Sequence, residues 1–167
     1  MTVPPHTTES AGSALAPEEL AQRVAILKRF RELLLAQRDR FRTYLDVLDK
    51  QQDMIEKGNA DDLIAHVEME EKIVADIFSI QKVIDPLEDM YRAAYPETAG
   101  TAPAEIPGLK SALEELKLEA VARTERNKEL LSRRMDEIRS EIKILRANPY
   151  RGSGSAIAAP SLIDIKG

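Results

Sequence analysis

Apolar residues recur every three or four positions along most of this chain, the spacing that places side chains on one face of an α-helix. The first such register has eleven positions, of which eight are apolar. It consists of Leu20, Val24, Leu27, Arg31, Leu34, Arg38, Phe41, Leu45, Leu48, Gln52 and Ile55. Pro17 suits the first turn of a helix, and Gly58 suits a left-handed C-terminal cap. The pattern predicts a helix over residues 17–57.

A second helical register follows directly after the Gly58-Asn59 turn. Its apolar stripe consists of Leu63, Val67, Val74, Ile77, Ile84 and Tyr91, widened by Ile73, Ile80 and Leu87. Asn59 is a favourable N-cap residue for this helix. Pro86 lies inside the pattern, where a proline removes a backbone hydrogen bond and should kink or thin the helix. We predict a helix over residues 60–95.

A third register follows a connector rich in Pro, Gly, Ala and Thr. Ser111 and Glu114 have the spacing of a capping box, so we expect this helix to begin between Pro107 and Ser111. Its apolar positions are Leu109, Leu113, Leu116, Ala120, Leu130, Ile138, Ile142 and Leu145. The register predicts a helix over residues 107–147.

Together these elements predict an all-α protein, with a long antiparallel helical hairpin and a third long helix returning along it. We expect a coiled-coil-like bundle domain over residues 17–147. Residues 1–16 are rich in Pro, Thr and Ser and predict a disordered N-terminal arm. Residues 148–167 predict a flexible C-terminal tail. The third helix is much more polar over residues 119–129, where we expect an imperfect seam.

Composition agrees with long helices and narrows the classes of function. Charged residues make up 32% of the chain and aromatic residues 4%, and there is no cysteine to form disulfides or thiolate metal sites. The net charge is −5, and residues 60–95 carry nine acidic and three basic groups. A nucleic-acid partner needs a net basic face, so this balance argues against one. The chain lacks a membrane span and a signal-peptide pattern, so we expect a cytoplasmic protein.

The sequence contains no phosphate-binding loop, dinucleotide fingerprint or nucleophile elbow. Asp62, His66 and Glu70 share a helix face, and one imidazole with two carboxylates is a conceivable metal set. Carboxylate-bundle metal sites use paired E-x-x-H motifs from several helices, and this chain has none. We therefore interpret the three residues as a solvated helix face, and expect no metal, no cofactor and no enzymatic activity.

The stretch from Tyr44 to Ile77 resembles the helix-turn-helix of the FlgN-type flagellar export chaperones. The matching positions are Leu45, Leu48, Gln52 and Ile55, then Gly58 and Asn59 in the turn, then Leu63, Glu70 or Glu71, Lys72 and Ile73. The resemblance implies a cytosolic chaperone that binds the C-terminal helical ends of hook–filament junction (hook-associated) proteins before type III export. It also implies delivery of this cargo to the flagellar export gate, with cargo binding toward the C-terminus of the chaperone. A tyrosine there is implicated in docking at the gate, and Tyr150 is the candidate here.

The end of the third helix and the tail are therefore the expected partner-binding region. The candidate residues are Leu130, Met135, Ile138, Ile142, Leu145, Tyr150, Leu162, Ile163 and Ile165. The tail patch over residues 157–165 either folds back on its own bundle or contacts another chain. The basic cluster over residues 133–146 is either a set of cations suited to a helix C-terminus or a partner-facing patch.

The same stripes also suit a different class of protein. A structural coiled coil would self-associate into a homo-oligomer through them, and a stalk-like component of the export machinery would use them in a similar way. We expect deletion of residues 152–167 to leave helicity intact and to weaken a partner contact.

Overall fold

The computed structural model describes residues 16–96 and 103–147, which form three long α-helices. The helices are α1 (Pro17–Lys57), α2 (Ala60–Ala94) and α3 (Glu105–Ala147). The described residues contain no strand, which confirms the predicted all-α class. The predicted N-terminal arm, part of the connector and the C-terminal tail lie outside the described residues.

The turn between α1 and α2 has the predicted chemistry. Gly58 has a φ of 72° and closes α1 in the left-handed conformation, which residues with a side chain rarely adopt. The Asn59 side chain accepts a hydrogen bond from the backbone N–H of Asp62 at 3.4 Å and caps α2. The helix then continues through Pro86 as one element, and it ends at Ala94.

The start of α3 differs from the prediction. The helix begins at Glu105, so Pro107 lies in its first turn and Ser111 lies in its interior. A proline in the first turn breaks no intrahelical hydrogen bond, because those N–H groups have no intrahelical acceptor. Ile106 is almost fully buried and anchors this turn against the core. The predicted capping box of Ser111 and Glu114 is therefore wrong, since a cap must precede the helix.

The helix α1 is the central element, because α2 and α3 each pack along it and barely contact one another. Side-chain contacts give the directions of the helices. Arg31 pairs with Glu105 near the start of α3, and Arg126 pairs with Asp49 further along both helices, so α1 and α3 are parallel. Early residues of α1 meet late residues of α2, as with Phe30 and Tyr91, so these two helices are antiparallel.

The main hydrophobic core lies at the end of the bundle where α2 stops and α3 begins, which we call the base. The rings of Phe30 and Tyr91 pack with their centroids 5.2 Å apart, and Tyr95 packs on the other side of Tyr91 at 5.3 Å. Phe30, Leu33, Leu34, Ile84, Tyr91, Ile106 and Leu113 belong to this cluster. Burial of this apolar surface is the main source of stability in the fold.

The predicted register of α1 begins too early in the helix and describes too narrow a buried face. Leu20 and Val24 are more than half exposed, because α1 begins before the level at which α3 joins it. The buried face instead includes Phe30, Leu33, Gln37 and Val47, which the single 3/4 register left out. A helix that packs against two neighbours buries a wider face than one seam. On α2, Val67 is also exposed rather than buried.

Candidate partner-binding site

The helix α3 extends beyond the turn that joins α1 and α2. A Cβ atom on Gly58 would lie 3.4 Å from the Arg134 guanidinium, so residue 134 marks the level of the turn. The helix continues to Ala147, so residues 135–147 lie beyond the turn and have a length of about 20 Å. Every residue from position 131 to position 147 is exposed. The end of α3 therefore presents a helical surface that the hairpin reaches only at its near end.

This surface carries an apolar stripe, which we call the α3 stripe. It consists of Leu131, Met135, Ile138, Ile142 and Leu145, with exposed fractions of 39–56%. The spacing alternates between four and three residues, which is the pattern of a coiled-coil seam. Leu131 and Ile138 lie eighteen residues, about five full turns, beyond the buried Leu113 and Ala120. The stripe thus continues the face by which α3 packs on α1, after α1 has ended.

The near end of the α3 stripe meets the turn in a small apolar groove, the tip groove. It has a volume of about 100 Å³. Met54, Ile55 and Leu63 of the hairpin face Leu131, Met135 and Ile138 of α3 across it. A side chain from a partner helix on the stripe would have an apolar pocket beside it.

A second apolar groove, the inter-helix groove, lies between α2 and α3 where both rest on α1. Its volume is about 370 Å³, and Phe41, Tyr44, Val74, Ile77, Phe78, Ala120 and Val121 contribute to its lining. Phe78 and Val121 are each more than 60% exposed. Neither residue was predicted from the sequence, because both lie off the seams that face α1. The sequence feature that could have identified them is an apolar residue on an otherwise charged part of the helix surface.

Between the base and the turn, polar contacts join α1 and α3 alongside the buried Leu48 and Ile55. Asn127 is 4% exposed and donates hydrogen bonds to the Leu48 carbonyl at 2.7 Å and to Gln51 Oε1 at 3.0 Å. Asp49 accepts from Arg123 at 2.8 Å and from Arg126 at 3.2 Å. The polar middle of α3 is thus an interface of specific hydrogen bonds, although the sequence predicted only an imperfect seam.

These contacts extend into a network that joins all three helices. Gln51 donates to one oxygen of Glu70 at 2.9 Å, and the Tyr44 hydroxyl donates to the other at 3.0 Å. The Thr124 hydroxyl lies 3.4 Å from the Tyr44 oxygen. Burial raises the pKa of Tyr44, so its hydroxyl stays protonated and remains a donor. Because each bond needs its partner at one distance, the network fixes the register of the three helices.

The predicted solvated face around His66 is only partly correct. Asp62 is exposed and interacts with Asn59 at the helix start. Glu70 is half-buried and belongs to the network of Tyr44 and Gln51. His66 is also half-buried, and its Nδ1 atom is buried without a hydrogen-bond partner in the described part of the chain. Residues 16–96 and 103–147 contain no cluster of three or more His, Cys, Asp or Glu suited to a metal ion.

The predicted partner-binding residues divide into three groups. Met135, Ile138, Ile142 and Leu145 lie together on the α3 stripe, whereas Leu130 is half-buried beside Ile55. The heptad spacing of positions 131, 138 and 145 was the signal that should have selected Leu131 instead. Tyr150, Leu162, Ile163 and Ile165 lie outside the described residues.

The basic cluster of α3 is exposed and largely paired within its own helix. Arg133 lies 3.6 Å from Glu129, Arg134 lies 2.8 Å from Glu137, and Arg139 lies 3.3 Å from Asp136. Both interpretations of this cluster remain compatible with such exposed pairs.

The chain has a relative to which it is similar over most of its length. It is 34% identical over 136 residues to a protein of Treponema pallidum (strain Nichols) described as an uncharacterized protein. The alignment covers 81% of this chain and 85% of the Treponema protein. The chain belongs to the same family as that protein. No family model matches it, and no solved structure does.

None of the helices within residues 16–96 and 103–147 has an apolar stretch of the length that a bilayer crossing requires.

Proposed function

We propose that this protein is a cytoplasmic export chaperone that binds an amphipathic helix of its cargo on the α3 stripe. The cargo would be the C-terminal helical segment of a hook–filament junction protein, bound before flagellar type III export and released at the export gate. The role would be one of binding, without catalysis. The observation that carries the proposal is the exposed α3 stripe beyond the turn.

The first support is that the apolar pattern of α3 continues beyond the part of the helix that packs on α1. Five large apolar side chains continue the core face of the helix over about four turns and stay exposed, although the hairpin reaches the near end of the stripe at the tip groove. A cargo helix that laid its own apolar face on them would remove this surface from water. Recognition of this kind reads anchors at helical spacing, as in other helix-binding proteins.

The second support is the resemblance of residues 44–77 to the FlgN-type chaperones. These residues form the end of α1, the capped turn and the first half of α2. In the bundle this region lies beside the tip groove, where Met54 and Leu63 face α3. The resembling stretch and the α3 stripe therefore meet at one end of the molecule.

The direct test is to mix the purified protein with the C-terminal segment of a hook–filament junction protein. We expect a one-to-one complex on size-exclusion chromatography and saturable binding by calorimetry. Absence of binding at tens of micromolar concentrations would contradict the proposed cargo, because a dissociation constant weaker than this leaves little complex in solution.

A matched pair of variants locates the contact. Ile138→Glu places a charge in the middle of the stripe and should weaken cargo binding about tenfold or more, because a buried apolar contact is lost and a carboxylate is desolvated. Ile144→Glu makes the same change on the same segment, at an exposed position off the stripe, and should leave binding unchanged. Equal effects of the two variants would show that the stripe is not the contact surface.

A structural coiled-coil protein is the second candidate, and the heptad spacing of the α3 stripe favours it. In that case the stripe would pair with the stripe of a second copy. Sedimentation equilibrium should then show a mass that rises with concentration and returns to the monomer in Ile138→Glu. A monomer at all concentrations would exclude this candidate. If the protein is instead a stalk-like component of the export machinery, the junction-protein segment should not bind to the parent protein or to either variant.

A further inference from the structure

The positions beside the α3 stripe carry an excess of positive charge. If the stripe occupies the a and d positions of a heptad, the adjoining e and g positions are Ser132, Arg134, Arg139, Glu141 and Arg146. All five are exposed. In paired helices these positions flank the apolar seam, and their charges set the choice and orientation of the partner. Three arginines against one carboxylate therefore define the border of the stripe.

The arginines beside the stripe are free to change partners. Arg134 and Arg139 form ion pairs with Glu137 and Asp136, and each of these pairs lies within α3 at three residues' separation. Both pairs are largely exposed to solvent. Exposed pairs of this kind contribute little to stability. The guanidinium groups can turn to carboxylates on a bound helix at small cost, and Arg favours such contacts because its fork matches a carboxylate.

We propose that the α3 stripe binds an amphipathic helix whose own flanking positions are acidic. This inference rests on the proposed function and names the chemistry of the partner. Residues 131–147 carry five basic and three acidic groups, a net charge of +2 within a chain of net charge −5. An acidic helix matches both the apolar stripe and its charged border.

Two other occupants match this border less well. A second copy of the chain would present the same segment with the same net charge of +2. The C-terminal tail, residues 148–167, carries Arg151 and Lys166 against the single acidic residue Asp164. Neither supplies an excess of carboxylates. A lipid surface is also disfavoured, since Asp136, Glu137 and Glu141 interrupt the basic face that anionic membranes attract.

Two designed peptides of about 18 residues test the charge of the partner. Both carry the same leucines at a and d positions, and their e and g positions are all glutamate in one and all lysine in the other. With the full-length protein at low salt, the glutamate peptide should bind at least about tenfold more tightly by fluorescence anisotropy. The difference should shrink as salt is added, because the border is exposed. Equal affinities, a preference for lysine, or binding of neither peptide would overturn the inference.

Charge-reversed protein provides the reciprocal test. The variant Arg134→Glu/Arg139→Glu/Arg146→Glu should reverse the preference to the lysine peptide. The matched control Arg133→Glu/Lys143→Glu changes two basic residues of the same segment outside the flanking positions, and should retain the preference for glutamate. If the triple variant and the control variant both came to prefer the lysine peptide, net charge alone would explain the preference, and the assigned border would be contradicted.

Three further measurements separate the competing occupants from the partner. The first is flotation with vesicles of equal parts phosphatidylglycerol and phosphatidylcholine. A higher affinity for these vesicles than for the glutamate peptide would overturn the inference in favour of a membrane. Sedimentation that shows tighter self-association than peptide binding would overturn it in favour of a second copy. Tighter peptide binding after deletion of residues 152–167 would overturn it in favour of the tail. If the glutamate peptide binds and the junction-protein segment does not, the proposed cargo fails while the partner chemistry stands.

Discussion

The two halves of the bundle differ in how much of their packing is polar. At the base, Phe30, Tyr91 and Ile106 meet in an apolar cluster to which all three helices contribute. Toward the turn, Leu48 and Ile55 are buried as well, but the contacts between α1 and α3 also include the buried Asn127 and Asp49 between two arginines. Beyond the turn, α3 meets the hairpin only at the tip groove, and every described residue from position 131 onward is exposed.

Because of this difference, the apolar contacts contribute most of the stability, whereas the polar contacts set the register of the helices. Apolar burial is non-directional and roughly proportional to area, so the base stabilises the bundle without specifying one alignment. Hydrogen bonds to buried polar groups add little net stability but penalise misalignment, because a shifted helix would leave those groups unsatisfied. The polar half thus sets where α3 lies on α1, and it also sets how far α3 projects past the turn.

The largest expected effect tests the base. Phe30→Ala removes a side chain that is fully buried, and should lower the free energy of unfolding by about 3–5 kcal/mol. Phe78→Ala removes the same side chain from a position that is 65% exposed, and should change it by less than about 1 kcal/mol. Urea unfolding followed by circular dichroism measures both. Comparable losses would mean that the inter-helix groove is part of the core.

The next effect tests the polar half. Asn127→Ala removes two hydrogen bonds to α1, and should cost about 1–2 kcal/mol of unfolding free energy in the same assay. Glu129→Ala, at an exposed position two residues away, is the control and should have almost no effect. An unchanged stability for Asn127→Ala would show that the polar interface does not hold α3 on α1.

Two glycines should respond to the same substitution with opposite sign. Gly58→Ala puts a Cβ on a residue with a φ of 72° and should destabilise the protein by about 1 kcal/mol. Gly108→Ala lies within α3 with nothing within 4 Å of the added Cβ, and should stabilise by about 0.5–1 kcal/mol. Thermal melts of the two variants should therefore bracket that of the parent protein. A stabilising Gly58→Ala would contradict the left-handed cap.

The smallest expected effect is a pH dependence at the base. A hydrogen bond from Lys110, aided by the charges of Lys110 and Arg92, lowers the pKa of Glu88 from its ordinary value of 4.5, although burial opposes the shift. A lowered folded-state pKa contributes stability above the unfolded value, and this contribution is lost as the pH falls through the folded value.

Glu88→Gln measures that contribution. The variant should be less stable than the parent protein at pH 7 by under about 1 kcal/mol, because the carboxylate is partly exposed. The difference should begin to shrink as the pH falls below 4.5 and vanish once the pH is below the lowered folded-state pKa. A difference that persists unchanged into acid would assign the effect to packing rather than to charge.

Much of the fold follows from local signals in the sequence. The bounds of α1 and the start of α2 match the prediction because Pro17, Gly58 and Asn59 act within one turn of their own position. The start of α3 was missed for a related reason. A capping box is a local pattern, and burial of Ile106, which depends on distant residues, extended the helix past it.

The candidate site was only partly predictable. Met135, Ile138, Ile142 and Leu145 were selected from their spacing, but the same spacing selected Leu20 and Val24 as core. Helical periodicity identifies an apolar face without saying whether a neighbour covers it. The polar network was beyond prediction, because Tyr44, Glu70 and Thr124 lie on three different helices.

The sequence by itself determined three long helices, their capped turn and an apolar stripe along each, because periodicity and capping act over neighbouring turns. Only the tertiary structure decided which apolar positions are covered. That outcome depends on where one helix ends relative to another, and the alignment is set by contacts such as Arg31 with Glu105 and Asn127 with Leu48. Because α1 ends at Lys57 and α3 continues to Ala147, one continuous stripe is core along its first half and an exposed surface along its last.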